Sequence, residues 1–238
     1  MAKKSYVVPD NQLSLFDLDT PSMPVFDKSR CEARLINYET AARMVETYHY
    51  AHRVPQITIA IGLFVDEILS GCITVGQPPG INVQSSICGK EYAEYALELN
   101  RLYVHDYCGK NTESWLIGRL FEAIANDYKI LVSFADSKQN HLGVIYQATN
   151  WLYTGLSDPG GAKEVKINGK LYHSKNIYNT FGTRDLELLE NNGNQVEVIG
   201  KSLKHRYVYF LGSKSQKRKL RKALKWPVLP YPKAGEND

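Results

Sequence analysis

In the middle of the chain, segments with a helical hydrophobic pattern alternate with segments that have the pattern of a strand. Apolar residues recur on one face of a segment from about Thr112 to Asn126, which predicts an amphipathic helix. The continuous apolar run Ile130–Ala135 is typical of a buried central strand. A helical segment at Gly143–Thr149 and a strand at Trp151–Tyr153 follow it. Strand, helix and strand in this order predict a βαβ unit within an α/β fold.

Hydrophobic runs before and after this unit predict further strands. Ile57–Val65 and Ile68–Val75 have the pattern of a hairpin, and Leu97–Val104 is the strand expected before the long helix. Asn168-Gly169, at the centre of a later extended segment, predicts a second hairpin with a type I′ turn. The strands and helices together favour one mixed sheet flanked by helices.

The first 29 residues differ from the rest of the chain. They are polar, contain three prolines and show no sustained period, so we expect a disordered arm over residues 1–29. The folded domain is expected over residues 30–232, and residues 233–238 form a short tail.

Composition excludes several classes of protein. Apolar residues make up 43% of the 238-residue chain and charged residues 23%, which excludes wholesale disorder. No apolar run approaches the roughly 18 residues of a membrane span, and the N-terminus has no apolar signal core. The four cysteines lie far apart without a CxxC pair, so we expect reduced thiols in the cytoplasm.

Positive charge is concentrated near the C-terminus. The net charge is only +4, but residues 198–235 hold eleven basic residues and no acidic one. This block favours a polyanionic partner, most simply nucleic acid, and the alternative is a solvated basic helix. The residues expected to contact DNA lie within 201–225 and are Lys204, Arg206, Lys217, Arg218, Arg221 and Lys222.

The basic segment has the pattern of an amphipathic helix over Lys214–Lys225. Ser213 or Ser215 can cap its start. Its apolar stripe is expected to face the core and consists of Leu220, Ala223, Leu224 and Trp226.

Five short segments, taken together, resemble a known family. LNRLYV at 99–104, SFAD at 133–136 and IYQATNWLYTG at 145–155 follow the order of the GNAT acyltransferase fold. With YHYAH at 48–52 and KHRYV at 204–208, the combination is similar to the Mom proteins of Mu-like phages. The resemblance covers about residues 31–232. It implies a GNAT-like mixed sheet and an enzyme of the host cytoplasm that converts adenine in DNA to an N6-carbamoylmethyl form, which resists restriction.

The loop before the long helix departs from the GNAT pattern. Acyl-CoA-binding members carry Q/R-x-x-G-x-G/A, whose backbone amides hold a pyrophosphate at a helix N-terminus. Here the loop is CGKNTES at 108–114, with one glycine and one acidic residue. We expect Lys110, Asn111 and Ser114 to hold an anionic group donor, and an acyl-CoA-type donor stays open.

The chemistry of adenine and the resemblance together point to four catalytic residues. The N6 amine is a poor nucleophile inside the base stack, so an enzyme must extrude the base, remove a proton and position an electrophile. Asp136 ends the buried strand, where it can orient or deprotonate the amine, or instead cap a helix. The resemblance implies an active-site role for His49 and proton donation to the leaving group by Tyr146. Arg101, on a strand rich in apolar residues, is expected to bind a phosphate or a structural carboxylate.

The resemblance also implies a site around iron. Two histidines and one carboxylate can form such a site, and the matching residues are His49, His52 and Asp136. Secondary candidates for reading a flipped base are Asn140, His141 and the pair Asn150-Trp151.

The arm contains an isolated apolar island, Gln12-Leu13-Ser14-Leu15-Phe16. It resembles the pentapeptide with which bacterial replication proteins dock on the sliding clamp. In that role Leu15 and Phe16 enter an apolar pocket, and Gln12 bonds at its rim. The alternative is that the island packs on the protein's own surface.

The leading hypothesis is therefore a Mom-like transferase that acts on a flipped adenine in double-stranded DNA, with the clamp as a second partner. Two alternatives remain open at this point. One is a GNAT N-acetyltransferase of a small amine or protein. The other is a noncatalytic DNA-binding module on a GNAT scaffold.

Overall fold

The computed structural model describes residues 25–78, 80, 82–137, 141–157, 163–201 and 203–233. The strands in these ranges are β1 Cys31–Leu35, β2 Ile59–Val65, β3 Ile68–Gly76, β4 Ala96–Val104, β5 Ile130–Asp136, β6 Leu152–Leu156, β7 Lys163–Ile167, β8 Lys170–His173, β9 Val196–Lys201 and β10 Lys204–Phe210. The helices are α1 Tyr38–Tyr48, α2 Val83–Cys88, α3 Thr112–Ile124, α4 Val144–Ala148, α5 Ser174–Phe181, α6 Leu186–Asn191 and α7 Lys214–Ala223.

Seven strands form the main sheet in the order β1-β2-β3-β4-β5-β10-β6. Strands β4 and β5 pair in parallel, and the other neighbours in the described sheet pair antiparallel. The succession β4, α3, β5, α4, β6 is the order predicted from the sequence. The predicted mixed sheet flanked by helices is therefore confirmed.

The central strand β5 is buried on both faces, which explains its continuous apolar run. Leu131 and Ala135 face the core cluster that includes α3. Ile130 and Val132 point the other way, toward a second cluster that contains Leu220 of α7. Because side chains alternate along a strand, the odd-numbered residues of β5 face the first cluster and the even-numbered residues face the second.

Helix α7 begins and packs as its pattern predicts. Ser213 and Gln216 form a capping box, in which each side chain bonds to the backbone of the other residue. Leu220 is buried against the second cluster, and its predicted apolar neighbours pack there too: Ala223, Leu224 and Trp226. The helix ends at Ala223, two residues before its predicted end.

A second sheet lies between β6 and β10 in the chain. Its three strands have the order β8-β7-β9. Asn168 and Gly169 take φ angles of 50° and 80°, the positive values of the predicted type I′ turn. This sheet and helices α5 and α6 share a small core of Val165, Ile167, Ile177 and Leu189. The segment that carries this sheet leaves the main sheet after β6 and rejoins it at β10. Its two ends are adjacent, since the Ser157 amide donates to the Lys204 carbonyl at 2.7 Å.

Contacts to the body begin before residue 30, where the arm was predicted to end. Val25 pairs with Lys110 in a parallel bridge, and the rings of Phe26 and Trp115 lie 5.8 Å apart. The proposed clamp-binding residues 12–16 lie outside the described residues, as do residues 234–238.

All four cysteines are in described segments, and none forms a disulfide. Cys72, Cys88 and Cys108 are buried, while Cys31 is partly exposed. Burial raises the pKa of Cys72 to about 12 and the pKa values of Cys88 and Cys108 to about 11. These three thiols are therefore protonated at neutral pH.

Among the described helices, none has the combination of length and apolar composition that crossing a bilayer requires.

The capping box at the start of α7 gives a first testable prediction. Ser213→Ala removes the side-chain acceptor of the Gln216 amide and should lower the free energy of unfolding by about 1 kcal/mol in urea titrations. Ser215→Ala, within the first turn, is the matched control and should change it by less than about 0.5 kcal/mol. Equal losses from both variants would contradict the assigned cap.

Candidate active site

Strands β4 and β5 pair at their start and then separate. Their paired residues are Ala96–Glu98 and Ile130–Val132. Beyond them, the hydroxyl of Ser133 donates to the Leu99 carbonyl at 2.7 Å. A side chain thus occupies the point where the backbone ladder ends, and the two strands enclose a fork.

An extra residue in β4 lies next to the fork. Opposite β3, Thr74 pairs with Arg101 and Val75 pairs with Leu99, so Asn100 bulges from the strand. The Asn100 side chain is held by Thr74 Oγ1 at 2.6 Å and donates to a main-chain carbonyl at 2.8 Å. The bulge redirects β4 and sets the side of the sheet on which Arg101 lies.

Tyr146 reaches the fork from α4. Its hydroxyl is hydrogen-bonded to Ser133 Oγ at 2.7 Å. Burial raises the pKa of Tyr146 to about 12, although the Ser133 hydrogen bond opposes this shift. The phenol is therefore protonated at neutral pH and can donate a proton to a group in the fork.

The other side of the sheet presents charged residues at the same fork. Strand alternation places Glu98 of β4 and Asp136 of β5 on this side, opposite Tyr146. Lys204 of β10 is the register partner of Asp136. Burial raises the pKa of Glu98 to about 7, and the positive charges of Lys204 and Arg101 oppose the rise.

Arg101 is a partly buried cation bonded to main-chain carbonyls. Its Nε and Nη2 donate to the Arg53 carbonyl at 3.2 and 3.0 Å, and its Nη1 donates to the Asn100 carbonyl at 2.6 Å. Burial lowers the pKa of Arg101, but a guanidinium stays charged at neutral pH. No carboxylate of the described residues forms an ion pair with it. Arg101 can therefore attract an incoming anion.

The segment after α1 brings two aromatic side chains to the fork. His49 is buried, its Nδ1 accepts the Ala51 amide at 3.1 Å, and its ring lies 4.4 Å from that of Tyr50. The Tyr50 ring is 5.3 Å from the His141 ring. Partial burial and the charge of Asp136 raise the pKa of Tyr50, while Arg101 opposes the rise. The predicted residues His49, Asp136 and Arg101 therefore surround Tyr50.

The predicted iron site is not assembled. His52 takes a φ of 43°, is exposed and bonds through Nδ1 to the Glu46 carbonyl at 2.7 Å, so its ring is held at the end of α1. Within the described ranges, no three His, Cys, Asp or Glu side chains are grouped to hold a metal ion. The set His49, His52 and Asp136 does not fit an iron ion in this structure.

The predicted donor loop has a backbone suited to an anion. Asn111 takes a φ of 72°, the left-handed conformation that glycine favours, and helix α3 starts at the next residue. The first amides of α3, including that of Ser114, point toward this loop because a helix cannot bond them internally. Two features oppose an anion: Glu113 in the first turn and the bridge between Val25 and Lys110.

The six predicted DNA contacts fall into two groups. Lys204 lies at the fork, and Arg206 stacks on Trp226 at 3.7 Å while donating to the Thr154 carbonyl at 2.9 Å. Lys217 is partly buried against Tyr209, 3.2 Å from its hydroxyl. The three that remain are exposed on α7: Arg218, Arg221 and Lys222.

Helix α7 and the acidic side of the fork share one face of the sheet. Leu220 packs on the same cluster as Val132 and Phe134, and strand alternation gives Asp136 the same orientation as these two residues. A polyanion bound to α7 therefore lies on the same face of the sheet as the carboxyl groups of Glu98 and Asp136.

Two residues of this site, Glu98 and Tyr50, are not among those predicted from the sequence, and one predicted residue, Trp151, lies elsewhere. Glu98 carries a visible signal, a charge inside the apolar strand Ala96–Val104, whereas Tyr50 has none beyond its neighbours. Trp151, a candidate for base reading, is fully buried and belongs to the core. Asn140 lies outside the described residues.

Comparison with known proteins finds one protein family that matches most of the chain. The family described as the Mom protein family matches residues 30–233. The methylcarbamoylase Mom of Escherichia phage Mu is 29% identical over 199 residues, which cover 81% of this chain and 80% of that protein.

The solved structures of several acetyltransferases are similar to this chain, at lower sequence identity. An N-acetyltransferase from Staphylococcus aureus Mu50 has a TM-score of 0.44 and 14% identity, covering 76% of this chain and 97% of its own. A GNAT-family acetyltransferase from Streptococcus pneumoniae has a TM-score of 0.43 and 10% identity, covering 76% and 99%.

The hydroxyl at the fork gives a second prediction. Ser133→Ala leaves the Leu99 carbonyl and the Tyr146 hydroxyl without this partner, so the free energy of unfolding should fall by about 1–3 kcal/mol. Ser85→Ala is the matched control, because the Ser85 hydroxyl makes an exposed 3.2 Å bond and its loss should be small. Urea titration of both variants checks this. A Ser133→Ala protein as stable as the control would refute the role of the hydroxyl.

Proposed function

The chain belongs to the Mom protein family, and on this premise we propose that it is a DNA-modifying transferase that converts adenine to N6-carbamoylmethyl adenine. The observation that carries the proposal is the fork between β4 and β5. It brings a proton-donating phenol to one side and carboxyl groups to the other, and a basic helix packs on the carboxyl side of the sheet. The phenol and the carboxyl groups can exchange protons with an amine of a DNA base, and the basic helix can hold the DNA.

The duplex is proposed to lie along α7. Arg218, Arg221 and Lys222 are exposed there, and α7 contains no acidic residue. Contacts of this kind hold phosphates and fix the position of a duplex without reading its sequence. An adenine extruded from that duplex then has access to the fork from the face that carries Asp136.

The side chains around Tyr50 are proposed to bind the extruded nucleotide. Tyr50 is 52% exposed, so an aromatic face is available for stacking on a base. Arg101 supplies a positive charge for a phosphate, and Asp136 supplies a carboxylate that can accept a hydrogen bond from the N6 amine. His49 keeps Tyr50 in place through ring contact.

The transfer itself requires a nucleophile, an electrophile and a proton donor. A donor bound near the start of α3 would supply the carbamoylmethyl group. Asp136 orients the amine toward the reacting carbon, and the protonated Tyr146 gives a proton to the group that leaves. The modified adenine would protect the DNA that carries it from restriction enzymes.

Nucleoside analysis tests this proposal directly. Plasmid DNA from cells that express the protein should contain N6-carbamoylmethyl deoxyadenosine by mass spectrometry. Asp136→Asn should reduce its amount by about tenfold or more, because the neutral amide accepts a weaker hydrogen bond than a carboxylate and can turn its NH₂ group toward the amine instead. Asp127→Asn, at an exposed carboxylate after α3, is the matched control and should leave the amount unchanged. Unmodified plasmid from cells containing folded wild-type protein would overturn the proposal.

The path of the duplex predicts a change in salt dependence. Replacing Arg218, Arg221 and Lys222 with alanine should flatten the slope of log K against log salt by about three, one for each lost phosphate contact. Replacing three exposed lysines elsewhere is the control and should leave the slope in place: Lys28, Lys166 and Lys170. Fluorescence anisotropy of a labelled duplex measures both. Identical slopes for the two triple variants would mean that α7 does not contact DNA.

A further inference from the structure

Residues 163–201, which carry the second sheet and helices α5 and α6, form an insertion that is attached to the main sheet beside Asp136. At its base, the Lys204 amide donates to Ser157 Oγ at 2.9 Å, and Lys204 is the register partner of Asp136. The Ser137 hydroxyl, next to Asp136 in the chain, donates to the Leu203 carbonyl at 2.6 Å. The insertion therefore leaves the main sheet at the carboxylate that is proposed to orient the adenine.

Helix α5 of the insertion is held by a narrow apolar stripe. Ile177 is buried in the small core, and Phe181 packs against that core one turn later. The helix ends before Gly182, whose φ of 71° is typical of a helix C-terminus and whose amide donates to the Tyr178 carbonyl at 2.9 Å. The other α5 residues with described side chains are exposed and polar: Asn176, Tyr178, Asn179 and Thr180. The fold of the insertion therefore does not use the face opposite the stripe.

Two amide side chains lie together on this exposed face. Successive residues of a helix turn by about 100°, which places Asn179 opposite the apolar stripe and Asn176 one turn before it. Among the described residues, none forms a hydrogen bond with either side-chain amide. Each amide offers a donor and an acceptor side by side. The pair is therefore available to a partner that displays both kinds of group.

The two helices of the insertion differ in charge. Residues 174–184 contain no acidic residue, and the exposed guanidinium of Arg184 lies 5.6 Å from the centre of the Tyr178 ring. Helix α6, in contrast, begins at the cap Asp185 and carries Glu187 and Glu190. A polyanion is repelled by α6 and is compatible with α5.

We propose that α5 enters the major groove of the bound duplex, where Asn176 and Asn179 read base pairs beside the extruded adenine. This inference rests on the proposed function and adds to it the groups that select the sequence around the modified base. The major groove admits a helix, and each base pair displays its own set of donors and acceptors there. Arg184 contacts a phosphate and fixes the position of the helix in the groove.

The spacing of the two amides fits neighbouring base pairs. Three residues of a helix rise about 4.5 Å, and neighbouring base pairs lie about 3.4 Å apart. An asparagine amide can bond to one base edge through its donor and its acceptor at once, most favourably to adenine. Asn176 and Asn179 can thus each contact one of two adjacent base pairs.

The place of attachment gives α5 a task that α7 does not have. An extruded adenine stays joined to its neighbours through the backbone, so the flanking base pairs stay close to the residue that the adenine reaches. The insertion begins and ends beside that residue, Asp136. The exposed side chains of α7 are mainly basic, and such groups bind phosphates without reading sequence. Helix α7 therefore holds the duplex, and α5 selects the site.

The experiment uses the full-length protein, expressed in cells that carry a plasmid. Single-molecule sequencing locates the modified adenines, and mass spectrometry gives their total amount. The wild type should favour particular base pairs beside the modified adenine. Asn176→Ala combined with Asn179→Ala should reduce the ratio between favoured and disfavoured flanks by about fivefold or more, because each amide that reads a base edge is lost. Asn191→Ala, at an exposed amide on α6, is the matched control and should keep the wild-type ratio.

A binding measurement separates reading of bases from contact with phosphates. Arg184→Ala should flatten the slope of log K against log salt by about one and leave the flanking preference in place. The double asparagine variant should keep the slope, because it removes no charge. Urea titration should give all these variants the wild-type midpoint, since their side chains are exposed.

Each outcome of this experiment decides a separate question. A double asparagine variant with the wild-type distribution of modified sites overturns the inference and leaves the proposed function standing. A wild-type protein that modifies adenines irrespective of their flanks has the same consequence. A folded double variant that modifies no adenine also overturns the inference, because groups that only select flanking bases are not needed for transfer. Wild-type protein that produces no modified adenine overturns the proposed function, and the inference with it.

Discussion

The separation of β4 from β5 is the constraint on which the rest of the site depends. Two parallel strands in a buried sheet ordinarily stay paired, because an unpaired backbone carbonyl away from water is costly. Here the Ser133 hydroxyl bonds to the Leu99 carbonyl, and the bulge at Asn100 turns β4 aside. Both devices use short polar side chains inside apolar strands. They open the sheet while the Leu99 carbonyl keeps a hydrogen-bond partner.

An open sheet allows chemistry from its two faces to meet. In a closed sheet, Tyr146 and Glu98 would lie on opposite faces with a layer of backbone between them. At the fork, the charge of Glu98 raises the pKa of Tyr146, and both Glu98 and Tyr146 act on the pKa of Arg101. A phenol from α4 and carboxyl groups from β4 and β5 thus reach one place from separate structural layers. Each layer has its own hydrophobic cluster to keep it rigid.

Much of this architecture is visible in the amino-acid sequence, for a physical reason. The run Ile130–Ala135 and the stripe of α7 are long, strongly patterned segments, and burial leaves few alternatives for them. His49, Arg101 and Asp136 could be selected as residue types that chemistry needs. Their meeting at one point depends on which strands are neighbours, and local periodicity does not contain that information.

The failures have equally specific causes. The resemblance groups His52 with His49 and Asp136 around iron, but His52 has a positive φ and its ring bonds to the Glu46 carbonyl. Glu98 was overlooked because a single charge in an apolar strand is usually a solvated edge position, and only the sheet order places it between β3 and β5. Lys204 is predicted to contact DNA, and the strand register adds what the basic block could not indicate, its place beside Asp136.

The state of the cysteines has a consequence for the proposed reaction, which uses a carbon electrophile. Thiolates are the most reactive nucleophiles among ordinary side chains, and they compete for any activated methylene group. Cys72, Cys88 and Cys108 are buried and hold their protons well above neutral pH. An amine in the fork therefore meets no thiolate rival from these three positions. The fold thus withholds these three thiols from an electrophile of the kind that the proposed transfer uses.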